Sequence, residues 1–172
     1  MPKHITNKIV GNAGESAACV YLKTKGHSII GRNIRLKKGE IDILTTKDNI
    51  IHLVEVKSIK TTRFSDYTAS NIDMYQPEEN FSRAKICKLK ALCVELQAFY
   101  PYNRGLSRYF NQMNPHLMLK DGNRGGGMSK GLESMLADKI DPVIQIDGLA
   151  VRLLFEANGL KAAKVRYFPF LA

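Results

Sequence analysis

The stretch GEIDILTTKDNIIHLVEVK, which runs from Gly39 to Lys57, decides the fold of this chain. Two apolar, β-branched runs flank the turn-forming pair Asp48-Asn49, and this pattern predicts a β-hairpin. With that pair as a two-residue loop, the register follows by counting outward from it. The predicted facing pairs are Leu44 with Leu53, Ile43 with Val54, Asp42 with Glu55, Ile41 with Val56, and Glu40 with Lys57.

The pair of Asp42 and Glu55 places two carboxylates side by side on strands that are otherwise apolar. At a Cβ separation of about 5 Å they repel by roughly 3 kcal/mol at an effective dielectric near 20. A cation between them removes that penalty. Because side chains alternate along strands, Glu40 and Lys57 project from the same face as this pair, and Glu40 is expected to support the site.

An exposed hairpin whose charges simply face water is the alternative reading of these four residues. The apolar positions disfavour it, because they fill both faces of the hairpin, as in a sheet covered on both sides. One predicted face holds Ile41, Ile43, Val54 and Val56, and the other holds Leu44, Ile51 and Leu53.

The whole chain has 172 residues and a formal charge of +10, which indicates one domain with a polyanionic partner. Nucleic acid is favoured over a membrane, because no amphipathic basic helix or apolar run of membrane-spanning length is present. The N-terminal residues lack an apolar signal core, so we expect a cytoplasmic protein. The three cysteines show no metal-binding or disulfide spacing, and we expect buried thiols at Cys19, Cys87 and Cys93.

Residues 6–25 have the apolar periodicity of a helix that ends at Gly26. Small residues on it, among them Gly11 and Gly14, allow close packing on the sheet, so that Glu15 could reach the carboxylates as a ligand or orienter. A solvated helix acid is the alternative for Glu15. A first strand is predicted at 27–34, and the basic residues Arg32, Arg35, Lys37 and Lys38 are candidates for phosphate contacts.

After the hairpin, Lys60 and Arg63 lie in a polar stretch with interleaved aromatic residues and are further candidates for nucleic-acid binding. A second helix is predicted from Pro77 to Tyr100, with basic residues in its first half. Residues 101–138 are predicted to be a flexible insertion rich in glycine, and a dedicated nucleic-acid-binding loop is the alternative. Strands are predicted at 140–146, 151–155 and 163–168, joined by turns at Asp147-Gly148 and Asn158-Gly159.

Two facing carboxylates are typical of a magnesium site, because Mg²⁺ takes oxygen ligands and keeps several waters. Asp42 and Glu55 are the predicted ligands, with Mn²⁺ as a possible substitute. Lys57 lies on their face and is placed to hold an attacking water or to stabilise charge on a phosphate. Soft metals are disfavoured, because no Cys or His shares that face.

The motifs GE at 14–15, GEID at 39–42, VEVK at 54–57 and PEENFSRAK at 77–85 resemble the YraN-like family of small bacterial proteins. That family is assigned to the PD-(D/E)XK nuclease superfamily. The resemblance implies an α/β fold, a mixed central β-sheet flanked by helices with a restriction-endonuclease-like core. It also implies that Asp42 and Glu55 are metal ligands, that Lys57 and Glu15 are catalytic, and that Lys85 supports them.

Two functions stay open at this stage. The favoured one is a magnesium-dependent endonuclease acting on DNA rather than RNA and selecting structure rather than sequence, because no base-reading motif is visible. The alternative is a non-catalytic nucleic-acid-binding or partner-recruiting module that retains the fold. A homodimer is compatible with either function.

Overall fold

The computed structural model describes residues 5–61, 64, 81–99, 143–157 and 159–169. The predicted insertion at 101–138 lies outside these residues, as does Arg63. The elements in chain order are α1 (Asn7–Thr24), β1 (Ser28–Leu36), β2 (Gly39–Lys47), β3 (Ile50–Thr61), α2 (Arg83–Phe99), β4 (Val143–Glu156) and β5 (Gly159–Phe168).

The five strands form one sheet in the order β1-β2-β3-β4-β5. Strands β3 and β4 are parallel, and the other neighbouring pairs are antiparallel. The mixed α/β sheet predicted from the sequence is therefore confirmed. The chain between the two parallel strands contains α2, in agreement with the crossover that parallel neighbours require.

Helix α1 forms where the sequence predicts it. The hydroxyl of Thr6 accepts a hydrogen bond from the Ile9 amide at its start, and Gly26 follows its end with a φ of 85°. Helix α2 begins later than predicted, because Ser82 caps it and the described residues Phe81 and Ser82 are not helical. The predicted start at Pro77 lies outside the described residues.

The predicted turn at Asp147-Gly148 is wrong, because β4 continues through both residues. The side chain of Asp147 is fully buried and accepts hydrogen bonds from Gln145 and Tyr167, and it also bonds to His52. These contacts satisfy the carboxylate inside a strand, which removes the usual preference of Asp for a turn. Strands β4 and β5 do reverse direction between Glu156 and Gly159, where the other turn was predicted.

Two apolar layers cover the sheet. Helix α1 covers one face through Val10, Ala18 and Leu22, and α2 covers the other through Leu89, Leu92 and Leu96. The prediction of buried cysteines is correct for Cys19 and wrong for Cys87, which lies on the exposed side of α2.

The hairpin register is confirmed from Lys47 and Ile50 to Ile43 and Val54. Its turn residues Asp48 and Asn49 have φ values of 50° and 60°, as a two-residue hairpin loop requires.

Candidate active site

The paired ladder between β2 and β3 ends at Ile43 and Val54, just before the predicted carboxylate pair. Beyond that point the side chain of Asp42 accepts a hydrogen bond from the backbone N–H of Val56, with 2.8 Å between N and Oδ2. Ile41 packs in the α2-side layer, whereas Ile43 packs in the α1-side layer. The predicted shared face for these two isoleucines is therefore wrong, because β2 changes its orientation at Asp42.

Glu55 lies at the centre of the site and is only 1% exposed. Its Oε1 accepts a hydrogen bond from the ammonium of Lys57 at 2.6 Å. The ammonium of Lys85, which projects from α2, lies 2.9 Å from Oε2. That second contact is an ion pair outside hydrogen-bond geometry, so Oε2 is a buried oxygen with no hydrogen-bond donor.

Asp42 lies beside Glu55, and burial followed by this neighbouring carboxylate raises the pKa of Asp42 from 3.8 to about 7. The Val56 amide and the charge of Lys85 act in the opposite direction. The predicted proximity of the two carboxylates is therefore confirmed. We call Asp42, Glu55, Lys57 and Lys85 the carboxylate–lysine cluster.

The carboxylate–lysine cluster has donors that suit a hard cation. Asp42 is held beside Glu55 in a buried place where its charge is unfavourable, so added positive charge would stabilise the ionised carboxylate of Asp42. Within the described part of the chain, no set of three or more His, Cys, Asp or Glu side chains is arranged to hold a metal. Two carboxylates fit Mg²⁺, which is usually held by one or two carboxylates with waters and substrate phosphates.

Glu15 and Glu40 lie outside the cluster. The Glu15 carboxylate accepts hydrogen bonds from Arg32 at 3.0 Å and from Asn33 at 2.8 Å. Asn33 has a φ of 51° and lies in β1 between the two residues paired with Ile43 and Ile41, next to Asp42. Glu15 thus holds the strand beside Asp42, which fits an orienting role better than that of a ligand.

Glu40 does not face Lys57 as the predicted register requires. It pairs with Arg35 of β1, and its carboxylate lies 3.9 Å from the Arg35 guanidinium. The change of orientation at Asp42 removes Glu40 from the predicted charged face. Its supporting role in the site is therefore not favoured.

The predicted phosphate-binding residues separate into distinct groups. Lys37 and Lys38 are exposed in the β1–β2 turn, whose backbone amides donate to the Glu95 carboxylate at 2.9 and 3.0 Å. Arg32 is partly exposed but binds Ser16 and Glu15, so a phosphate contact from it would compete with these bonds. Lys60 is exposed, but strand alternation places it with Ser58 on the α1 face of the sheet.

A buried polar network on the α1 face was not predicted from the sequence. His52 bonds to Asp147 through Nδ1 at 2.7 Å, and His27 bonds to Thr45 at 2.9 Å. The two imidazole rings meet edge to face, with 4.8 Å between centroids. These residues are far apart in the sequence and have no motif spacing, so only the sheet brings them together.

The cations of β5 were not predicted as site residues from the sequence. Lys164 and Arg166 alternate with Val165 and Tyr167, which pack in the α1-side layer. That i, i+2 spacing is the sequence signal that could have identified them as a basic face of a strand.

The chain is similar to a known protein family. A family model described as "Uncharacterised protein family UPF0102" matches residues 14–103, a range that contains the whole carboxylate–lysine cluster. Within the described residues, no helix combines the length and apolar character needed to cross a membrane.

The relatives that this chain resembles include several UPF0102 proteins. The one from Treponema pallidum (strain Nichols) is 47% identical over 66 residues, 38% of this chain and 51% of the relative. The one from Campylobacter jejuni subsp. doylei is 35% identical over 100 residues, 58% of this chain and 75% of the relative. A third, from Campylobacter lari, is 48% identical over 54 residues, 31% of this chain and 48% of the relative. The chain spans about half the length of the Treponema and C. lari relatives.

Proposed function

Because the chain belongs to the protein family UPF0102, the YraN-like family that its motifs resemble, and the family description names no activity, we propose a function from the site itself. The proposed function is magnesium-dependent endonucleolytic hydrolysis of DNA, selective for the structure of the DNA rather than its sequence. The observation that carries it is the convergence of Asp42 and the buried Glu55 carboxylate with two lysine ammonium groups, one near each oxygen of Glu55.

Asp42 and Glu55 are the residues that would hold Mg²⁺. When bound, the ion supplies an acidified water and neutralises negative charge on the phosphate. The hydrogen bond from the Val56 amide fixes the Asp42 carboxylate, and Lys57 fixes that of Glu55. Two carboxylates held by such short bonds keep their orientation without a reorganisation cost during the reaction.

Lys57 is the residue best placed to act on the phosphate. Its side chain is 30% exposed, so it reaches solvent while its ammonium contacts the nearly inaccessible Glu55. A cation at the boundary between the buried carboxylate and solvent can stabilise the negative charge that develops on a phosphate during attack. Lys85 is 27% exposed and adds a second positive charge from α2.

The net charge of +10 supports a polyanionic substrate, and the exposed cations of the described residues include those at the β1–β2 turn and along β5. Phosphate contacts fix position and carry no base information directly. Selectivity for branched, nicked or partly single-stranded DNA fits such a surface better than selectivity for a base sequence.

A non-catalytic nucleic-acid-binding module is the second candidate. One observation favours it: both oxygens of Glu55 already lie close to lysine ammonium groups, at 2.6 and 2.9 Å. A carboxylate whose charge is balanced by two lysines can serve only to hold β3 and α2 together. This candidate keeps the basic surface and needs no metal.

A cleavage assay separates the two candidates. Wild type is incubated with duplex, single-stranded, flap and four-way DNA over a magnesium titration, beside Lys57→Ala and the control Glu40→Ala. Lys57→Ala should stay folded and cut on the order of 100-fold more slowly, as removal of one preorganised charge contact does. Glu40→Ala removes a charge outside the cluster and should cut like wild type.

Binding without cleavage of any of these DNAs at any magnesium concentration would refute the nuclease and favour the binding module. A folded Lys57→Ala protein that cuts at the wild-type rate would remove Lys57 from the site.

A further inference from the structure

The face of the sheet that holds Glu55 and Lys57 continues across β4 to β5. In the paired registers, Lys57 of β3 lies beside Ala150 of β4, and Ala150 lies beside Arg166 of β5. Paired residues on neighbouring strands project from the same face. Arg166 is therefore on the same face as Lys57, two strands away.

Side-chain contacts support this placement independently. The guanidinium of Arg166 lies over the ring of Phe168, 4.8 Å from its centroid. That ring packs against Phe81, just before α2, with 5.7 Å between centroids. Because Lys85 in the first turn of α2 reaches Glu55, the start of this helix joins Arg166 and the carboxylate–lysine cluster.

The strand between the two cations carries small residues. Gly148 lies beside Glu55, and Ala150 lies beside Lys57, so no large side chain of β4 stands between Lys57 and Arg166. Neighbouring strands are about 4.8 Å apart, which separates the two backbones by about 10 Å. That span equals the rise of about three nucleotides along the axis of a duplex, at 3.4 Å per step.

A second cation extends the same row. Lys164 of β5 pairs with Arg152 of β4. Lys164 is two residues from Arg166, and Arg152 is two residues from Ala150, so strand alternation places both on this face. Lys164 and Arg166 are exposed. The row formed by Lys57, Arg166 and Lys164 runs from the carboxylate–lysine cluster to the edge strand.

We propose that Arg166 and Lys164 form a phosphate-binding subsite for the nucleic-acid strand whose phosphodiester bond lies at the carboxylate–lysine cluster. The ligand is the phosphate backbone, a few nucleotides from the bond at the cluster. Phe168 holds the Arg166 guanidinium by stacking, and the planar fork of a guanidinium suits bidentate pairing with phosphate oxygens. This inference rests on the proposed nuclease function for the identity of its ligand.

The subsite also lies outside residues 14–103, the range that the family model matches. Neither the family match nor the motifs in the first hundred residues therefore point to it. The inference comes from the pairing of β4 with β5 and from the stacking of Arg166 on Phe168.

Binding measurements on the full chain test the subsite. Fluorescence anisotropy with a labelled duplex carrying a single-stranded overhang is recorded in EDTA over a range of salt, for wild type, Arg166→Ala, Arg166→Lys and Arg166→Ala/Lys164→Ala. Arg166→Ala should bind about tenfold more weakly. The slope of log affinity against log salt should fall by about one, and by about two for the double variant.

The matched control is Lys161→Ala. Lys161 is an exposed lysine at the turn end of the same strand, at the register shift between β4 and β5, and it pairs with Glu156. It carries the same charge, so it reports the effect of lowering the net charge by one. Arg166→Lys retains the charge and should restore the salt slope while binding more weakly than wild type, because it lacks the bidentate fork.

The outcomes separate this inference from the proposed function. If wild type cuts DNA and Arg166→Ala keeps the affinity and salt slope of the Lys161→Ala control, the subsite is refuted and the nuclease stands. If wild type binds without cutting and Arg166→Ala loses one unit of slope, the subsite stands and the nuclease fails. Melting curves for each variant must match wild type. If only Arg166→Ala is destabilised, the DNA affinity of Arg166→Lys is compared with that of wild type instead. An unchanged affinity of Arg166→Lys would refute bidentate binding.

Discussion

Replacement of Asp42 by asparagine is expected to stabilise the metal-free protein. Burial and the neighbouring Glu55 raise the pKa of Asp42 from 3.8 to about 7. At about 1.4 kcal/mol per pKa unit, the ionised carboxylate destabilises the fold by at most about 4 kcal/mol. An asparagine oxygen can still accept the hydrogen bond from the Val56 amide, so the substitution removes the charge and keeps the contact.

The gain from Asp42→Asn should depend on pH in a defined direction. Because the folded-state pKa is raised, the stability associated with protonated Asp42 is complete below pH 3.8 and is lost as the pH rises through about 7. The advantage of Asp42→Asn should therefore approach its full value at about pH 8. At about pH 5 it should fall to less than half of that value.

Urea unfolding and thermal melting measure this effect, in EDTA at both pH values and again with millimolar magnesium. In EDTA at about pH 8, Asp42→Asn should raise the melting temperature by several degrees, up to about 10 °C. Magnesium should stabilise wild type and have much less effect on Asp42→Asn, because the variant lacks one of the two carboxylates.

Glu40→Gln is the matched control for the same strand. The Glu40 side chain is 42% exposed and only loosely paired with Arg35, so its neutralisation should change stability little and without this pH dependence. The reasoning would be refuted by an Asp42→Asn protein no more stable than wild type at pH 8, or by an equal gain at both pH values. The absence of any magnesium shift in wild type would count against the metal site.

Two further predictions concern the α1 face. Burial, followed by the charge of His52, lowers the pKa of His27 from 6.5, so its contribution to stability is present above about pH 6.5 and lost as the pH falls through the folded-state value. His27→Asn, which can keep the bond to Thr45, should reduce the fall in melting temperature at acidic pH. An unchanged fall in melting temperature would contradict this role of His27. Gly14→Ala should cost about 1–3 kcal/mol in urea unfolding, because the new Cβ would lie 2.4 Å from the Ser58 Cβ. Gly11→Ala has no atom within 4 Å and should be neutral or stabilising by up to about 1 kcal/mol; equal effects of the two changes would disprove the close approach of α1 to β3.

The sequence by itself determined the features that depend on neighbouring residues. The hairpin register followed from Asp48-Asn49, since a two-residue loop with positive φ leaves one way to pair the apolar runs. Gly26 marked the end of α1, because glycine readily adopts the positive φ with which helices commonly end. The proximity of Asp42 and Glu55 was predictable because both lie within the hairpin.

Only the tertiary structure decided the features that depend on residues far away in the chain. Asp147 is a turn residue by local preference, yet it lies inside β4 because His52, 95 positions earlier, and Tyr167 satisfy its carboxylate. Lys85 reaches Glu55 only because α2 packs across the sheet. Arg166 joins the face of Lys57 only because β4 pairs with β3 on one side and β5 on the other. Sequence patterns report the preferences of adjacent residues, whereas burial and strand pairing decide which distant groups must neutralise one another.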